Sequence, residues 1–119
     1  MSDRELLVLA AKAAGVKIDY SKTNGGGHGN TGFDLTGNAV LDWHNGETWN
    51  PLVDDGDALR LAAKLGLDTL HDDRSVTVKK FDNFNQKVVC EATEYGDRST
   101  AEPTRRAIVR AAAELGRAT

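Results

Sequence analysis

Trp49-Asn50-Pro51-Leu52-Val53-Asp54-Asp55-Gly56-Asp57-Ala58-Leu59-Arg60-Leu61-Ala62-Ala63-Lys64-Leu65-Gly66 is the stretch on which the fold turns. Pro51 forces Asn50 into extended backbone. The carboxylates of Asp54, Asp55 and Asp57 suit the free N–H groups and the positive end of a helix N-terminus. Ala58, Leu61, Ala62 and Leu65 then recur at helical spacing, and Gly66 can take the left-handed conformation that ends a helix. An extended approach and a capped helix make a junction, and at least one of Trp43 and Trp49 is expected to pack over it.

The same signals appear on either side of this stretch. Ser2 and Glu5 have the spacing of a capping box, Leu6, Leu9, Ala10 and Ala13 form one helical face, and Gly15 marks the stop. Ser99 and Glu102 repeat the capping-box spacing, with Pro103 in the first turn. Thr104, Ile108, Ala111 and Leu115 give this third helix its stripe, and Gly116 is read as its end.

Strand signals lie between the helices. Val16 to Tyr20 is a short candidate. Ala39, Leu41 and Trp43 alternate with Val40, Asp42 and His44. Val76 and Val78 alternate with Thr77 and Lys79, and Val88, Cys90 and Ala92 with Val89, Glu91 and Thr93. Asp82-Asn83-Phe84-Asn85-Gln86 reads as a hairpin turn between the last two. The expectation is one α+β domain over residues 1–119. It has a small, mostly antiparallel sheet of three or four strands covered by three helices, in the order α-β-(β)-β-α-β-β-α.

Composition bounds the function. The chain has 119 residues, 39% hydrophobic and 28% charged, which suits one domain with a modest core and argues against disorder. Its formal net charge is −3, so nucleic acid and anionic membrane are not expected partners. Cys90 is the only cysteine, so no internal disulfide can form, which fits a reducing cytoplasm. No apolar run approaches the roughly 20 residues of a membrane helix. The polar start, Met1 to Glu5, is unlike a signal peptide.

Each candidate site in the sequence has a plainer role beside it. Asn24-Gly25-Gly26-Gly27-His28-Gly29-Asn30 could converge backbone N–H groups on an anion, yet no phosphate-loop spacing or following helix accompanies it, and a mobile connector is the simpler reading. His28, His44 and His71 lack the short-range pairing of a zinc site, and Asp54, Asp55 and Asp57 fit helix capping better than a calcium loop. Arg106, Arg110 and Arg117 share the outer surface of the third helix, a candidate anion or acidic-protein patch. Against it, Glu114 lies four residues beyond Arg110 at the spacing of a local ion pair. No nucleophile elbow is present, and Cys90 reads as buried and inert. No catalytic residue, cofactor or metal is therefore expected. The candidate binding surface comprises Trp43, His44, Trp49, Asn50, Gly26, His28, Arg106 and Arg110.

Three stretches carry a resemblance: Ser2 to Gly15, Trp49-Asn50-Pro51-Leu52 running into Asp54 to Ala62, and Thr104 to Ala112. In this order they resemble small proteins of tailed phages and prophages, the phage ABA sandwich and NinX-like families. The resemblance implies a layered helix–sheet–helix fold and a prophage origin, and carries over no catalytic residue. The expected function is that of a non-enzymatic accessory protein in the cytoplasm of a bacterial host. It would bind a host or phage macromolecule through the Trp43–Pro51 turn, the exposed sheet face or the arginine face of the third helix. The rival expectation is a small-molecule protein that binds or sequesters a nucleotide with the glycine-rich loop. An unidentified protein partner and a homodimer are the expected associations.

Overall fold

Helix α1 (Asp3–Ala14) starts where Ser2 accepts the Glu5 N–H at 3.1 Å. It stops at Gly15, whose φ of 71° is left-handed. Helix α2 (Asp55–Leu65) is capped by Asp54, which accepts the Asp57 N–H at 2.9 Å, and ends at Gly66, φ 67°. In both, the glycine N–H turns back onto carbonyls of the last turn, so the helix end leaves fewer acceptors unpaired. These are features of the computed structural model, which describes residues 2–20, 31–96 and 101–118. Ser99, the expected cap of the third helix, and the glycine-rich loop lie outside the described residues.

The remaining elements are β1 (Ala39–Asp42), β2 (Glu47–Trp49), β3 (Asp68–His71), β4 (Ser75–Asp82), β5 (Lys87–Tyr95) and α3 (Glu102–Ala118). The fold is α+β with antiparallel pairing throughout. The strands form two sheets, β1–β2 and β3–β4–β5. The α+β class and the order of elements agree with expectation, while the bounds of β2 and β3 are not marked in the sequence because strands of three and four residues are too short to show a period. Val16 to Tyr20 forms no strand, although Asp19 donates its N–H to Val40 at 2.8 Å and so runs beside β1. Strand β1 ends at Asp42, and its pairing with β2 is irregular after Val40. The alternation expected up to His44 is therefore cut short.

One buried cluster joins residues of α1, β1, β2, α2, β4, β5 and α3. Helix α3 is its hub and packs on α1, α2, β4 and β5. Ala107, Ile108, Val109, Ala111, Ala112 and Ala113 are all buried, so the middle of the helix is apolar nearly all round. A single stripe of Thr104, Ile108, Ala111 and Leu115 understates this; Thr104 and Leu115 sit at its margin. Gly116 does not end α3, which continues to Ala118. It is instead where α1 crosses closest: a Cβ at Gly116 would lie 1.9 Å from the Leu9 carbonyl oxygen. Facing it, α1 buries Leu6, Leu7, Ala10, Ala11 and Ala14, so its buried side is broader than the expected stripe, with Leu9 and Ala13 at its edge. Small residues on both helices let the backbones approach.

The three-stranded sheet has two unlike faces. Val76, Val78, Cys90 and Ala92 point to the helices and are buried. Among the described residues no helix has a comparable packing contact on the other face. The second helical layer implied by the family resemblance is thus not seen among the described residues. At the far end of the sheet a bulge after Lys80 shifts the register, so Val88 pairs with Phe81 and is half-exposed rather than buried with Cys90.

Candidate binding surfaces

The junction at Trp49–Asp57 is built from the inside out. Trp49 is 7% exposed and belongs to the core. The buried Asn50 amide donates to Asn38 Oδ1 at 3.0 Å, and its Oδ1 accepts the Leu52 N–H at 3.1 Å. Its backbone N–H goes to Asp57 at 2.9 Å, and its carbonyl accepts the Asp54 N–H, also at 2.9 Å. Arg105 ties the same turn to α3, donating to the Leu52 carbonyl at 2.9 Å and to Asp55 at 2.6 Å. Among the described residues no buried side-chain nitrogen or oxygen lacks a partner. Trp49 and Asn50, expected on a binding surface, are therefore structural: the extended residue before Pro51 leaves its polar groups inside, where only hydrogen bonding makes burial tolerable.

Trp43 lies just beyond β1, half-buried, with its indole N–H donated to the Asp19 carbonyl at 2.9 Å. His44 is exposed beside it, as its alternation with Trp43 suggests. Gly26 and His28 fall outside the described residues. His44 sits on the β1–β2 turn, and the arginines lie on α3; the six described candidates do not converge on one site.

The arginine face is already engaged. Arg106 bonds Asp3 at 3.0 Å, and Arg117 lies 3.5 Å from Glu114. Arg110 pairs with Glu94 and donates to the Thr93 carbonyl at 2.9 Å. The Arg110–Glu114 pair expected from spacing is replaced by this longer-range one to β5. The three arginines line a groove of about 340 Å³, but Glu91, Glu94 and Glu114 line it too. An incoming anion would displace carboxylates already in place. The Arg110 bond also covers part of the β5 edge, where an open carbonyl would invite another strand.

Cys90 is buried and burial pushes its thiol up, which disfavours the reactive thiolate. Among the described residues no group of three or more His, Cys, Asp or Glu side chains is placed to hold a metal ion. No described helix is long and apolar enough to cross a membrane.

Two further surfaces carry exposed apolar side chains that the sequence does not single out by residue. The first is the helix-free sheet face. Leu70 pairs with Thr77 and Thr77 with Thr93, whose hydroxyls meet at 2.9 Å. Leu70 is 50% exposed, and Tyr95, two residues along β5 from Thr93, is 78% exposed. The signal for Tyr95 was present, since it continues the alternation of Glu91 and Thr93. Leu70 was hidden with its short strand.

The second surface is the β4–β5 turn. Asp82 accepts the N–H groups of Phe84 and Asn85 at 2.9 and 3.2 Å, and the Asn85 amide at 2.6 Å. The Asn85 side chain, with these backbone donors, holds the Asp82 carboxyl below its ordinary value. The Gln86 amide donates to the Asn83 carbonyl at 2.6 Å, and Gln86 itself is left-handed at φ 55°. On this braced turn Phe84 is 94% exposed. Phe81 and Val88, partly exposed, stand below it.

Compared with protein-family models, curated proteins and solved structures, the chain matches none of them.

Proposed function

We propose that the chain is a phage or prophage accessory protein, a non-enzymatic binding module that acts on a host or phage macromolecule in the bacterial cytoplasm. Its working surface is the helix-free face of β3–β4–β5. The observation that carries this reading is the exposure of Leu70 and Tyr95 on a face whose central rung, Thr77–Thr93, is hydrogen-bonded and fixed. Tyrosine brings a large, stiff, amphipathic contact at low entropic cost, which is why it is enriched at interfaces. The two rival surfaces have other employment: the Trp49–Pro51 turn is core, and the arginines are paired. The family resemblance supports the phage origin, and the lone, buried Cys90 suits a reducing compartment.

The test is capture from host lysate by immobilised protein, comparing the wild-type chain with a Leu70→Ser, Tyr95→Ser double variant. The wild-type chain retains a discrete macromolecule and the folded variant loses it. Equal retention by both chains contradicts the reading. A rise of several degrees in melting temperature with a nucleotide, with no captured macromolecule, would favour the small-molecule reading instead.

A further inference from the structure

The two edges of the β3–β4–β5 sheet are finished differently. The Asp72 N–H donates to the Ser75 carbonyl at 2.8 Å, which fixes the rungs of the β3–β4 ladder that are hydrogen-bonded. Bonded rungs alternate along an antiparallel pair. Asp68 and Leu70 therefore bond β4, while the backbone N–H and C=O groups of Thr69 and His71 point away from the sheet. Carried across β4, the same alternation turns the Glu91 and Thr93 groups outward on β5. There Arg110 takes the Thr93 carbonyl and pairs with Glu94, so that edge is obstructed. Among the described residues no hydrogen bond closes the outward groups of Thr69 and His71, and all of β3 is exposed.

The open edge borders a cleft. Thr69 and His71 share a face with their buried register partners Val78 and Val76, so their side chains turn to the helix side. Across from them stand Ala58, Leu59 and Ala62 of α2 and Ile108 of α3, around a volume of about 330 Å³. The apolar layer between sheet and helices thus continues past β3. Asp55 and Arg105, at the rim, are paired with each other. On the other face the edge is acidic. Asp68 shares its rung with Lys79 and Glu91, and Asp72 and Asp73 precede Arg74. Four carboxylates against two bases leave a net charge of −2 there.

We propose that the β3 edge accepts an extended segment of a partner polypeptide as an added strand, its alternate side chains apolar in the cleft and basic over Asp68 and Asp72. The proposal rests on the reading of the chain as a binding module and names the chemistry of its partner. In strand addition the backbone bonds supply affinity, and pockets for every second side chain supply specificity. A second copy of β3 is the wrong occupant. Paired about a two-fold axis at Leu70, it sets each Asp68 opposite an Asp72. With the axis at Thr69 or at His71, the two Asp68 or the two Asp72 meet on a diagonal. Like charges so placed are destabilising, whereas lysine or arginine at the same positions is favoured.

Amide proton–nitrogen spectra of the labelled chain test this, in titrations with two short blocked peptides, one alternating lysine and valine and the other glutamate and valine. The lysine peptide is expected to bind about tenfold more tightly, to shift the Thr69 and His71 amides most and to slow their hydrogen exchange. Thr69→Pro removes one outward donor and no β3–β4 bond, a position at which an edge strand tolerates proline. It should keep the wild-type circular dichroism melt and bind the lysine peptide about fivefold more weakly. Asp68→Lys with Asp72→Lys changes two exposed positions and should reverse the preference, whether or not the proline variant folds. Tyr95→Ser, two strands away, should bind the lysine peptide as the wild type does. The proposal is overturned by equal binding or no binding of the two peptides, by strongest shifts on β5 or α3, or by an unchanged preference in the lysine variant. A folded Thr69→Pro chain that binds as the wild type does overturns it too, as does a wild-type dimer with Thr69 and His71 amides protected before peptide is added. If capture from lysate still depends on Leu70 and Tyr95 in these cases, the binding-module reading stands and the edge proposal alone falls.

Discussion

The Trp49–Asp57 junction and the β3–β4–β5 sheet spend their large side chains in opposite ways. At the junction a tryptophan is buried, and each polar group of Asn50 is paired. On the sheet's helix-free face and at its far turn, Leu70, Tyr95 and Phe84 stand in water while the hydrogen bonds beneath them fix the backbone. The first region uses order to close the fold. The second uses order to hold apolar groups outside it. Residues that stabilise the chain and residues available to a partner therefore separate by element, and substitutions should sort the same way.

The largest effect is expected at the closest helix crossing. Gly116→Ala sets a methyl group 1.9 Å from the Leu9 carbonyl oxygen, and the obstacle is backbone rather than a movable side chain. Alanine's better helix propensity returns about 1 kcal/mol. Separating α1 from α3 should still cost about 3 kcal/mol net, read by urea denaturation. An unchanged midpoint would mean that the core does not depend on this contact.

Next comes the junction itself. Asn50→Ala leaves the Leu52 N–H and Asn38 Oδ1 without their partner in a buried place and should cost about 2 kcal/mol by thermal melt. Asp34 is a smaller case. It organises the turn before β1, accepting the N–H groups of Thr36 and Asn38 at 3.0 and 2.9 Å and the Thr36 hydroxyl at 2.8 Å. Burial alone would raise its pKa, but the Thr36 hydroxyl and these other donors hold it below the ordinary 3.8. The unfolded chain therefore binds this proton more readily than the folded one. Asp34's contribution is present above pH 3.8 and fades as pH falls through its lower folded pKa. Asp34→Ala should cost about 1 kcal/mol near neutrality, and the gap to wild type should narrow in acid. A gap that widens in acid would reverse the assignment. The smallest effect belongs to Leu70→Ser with Tyr95→Ser, which should stay within about 0.5 kcal/mol of wild type in the same assay.

The sequence made the closed region easier to read than the open one. Asp54, Gly15, Gly66 and the Ser2 cap each satisfy a local rule, and local rules survive folding. The alternation of Val76, Val78, Cys90 and Ala92 likewise reads directly as a buried face. Gly116 reads as a stop because a glycine near a helix end usually is one. Only the position of α1 shows that it is a crossing point. Trp49 and Asn50 read as surface candidates because aromatic and amide side chains serve ligands as well as cores, and spacing does not distinguish the two. Arg110 found Glu94 across the fold rather than Glu114 along its helix. Strand β3 was hidden because four residues cannot show a period, and with it went Leu70. Exposure is a property of what does not pack against a residue, so it is the last thing a sequence reveals.

The most direct test of this division is urea denaturation of Asn50→Ala and of the Leu70→Ser, Tyr95→Ser chain side by side at low protein concentration. The account predicts a clear loss of stability for the first and a wild-type midpoint for the second. A comparable loss in both would show that the helix-free face helps hold the fold together, and would contradict its reservation for a partner.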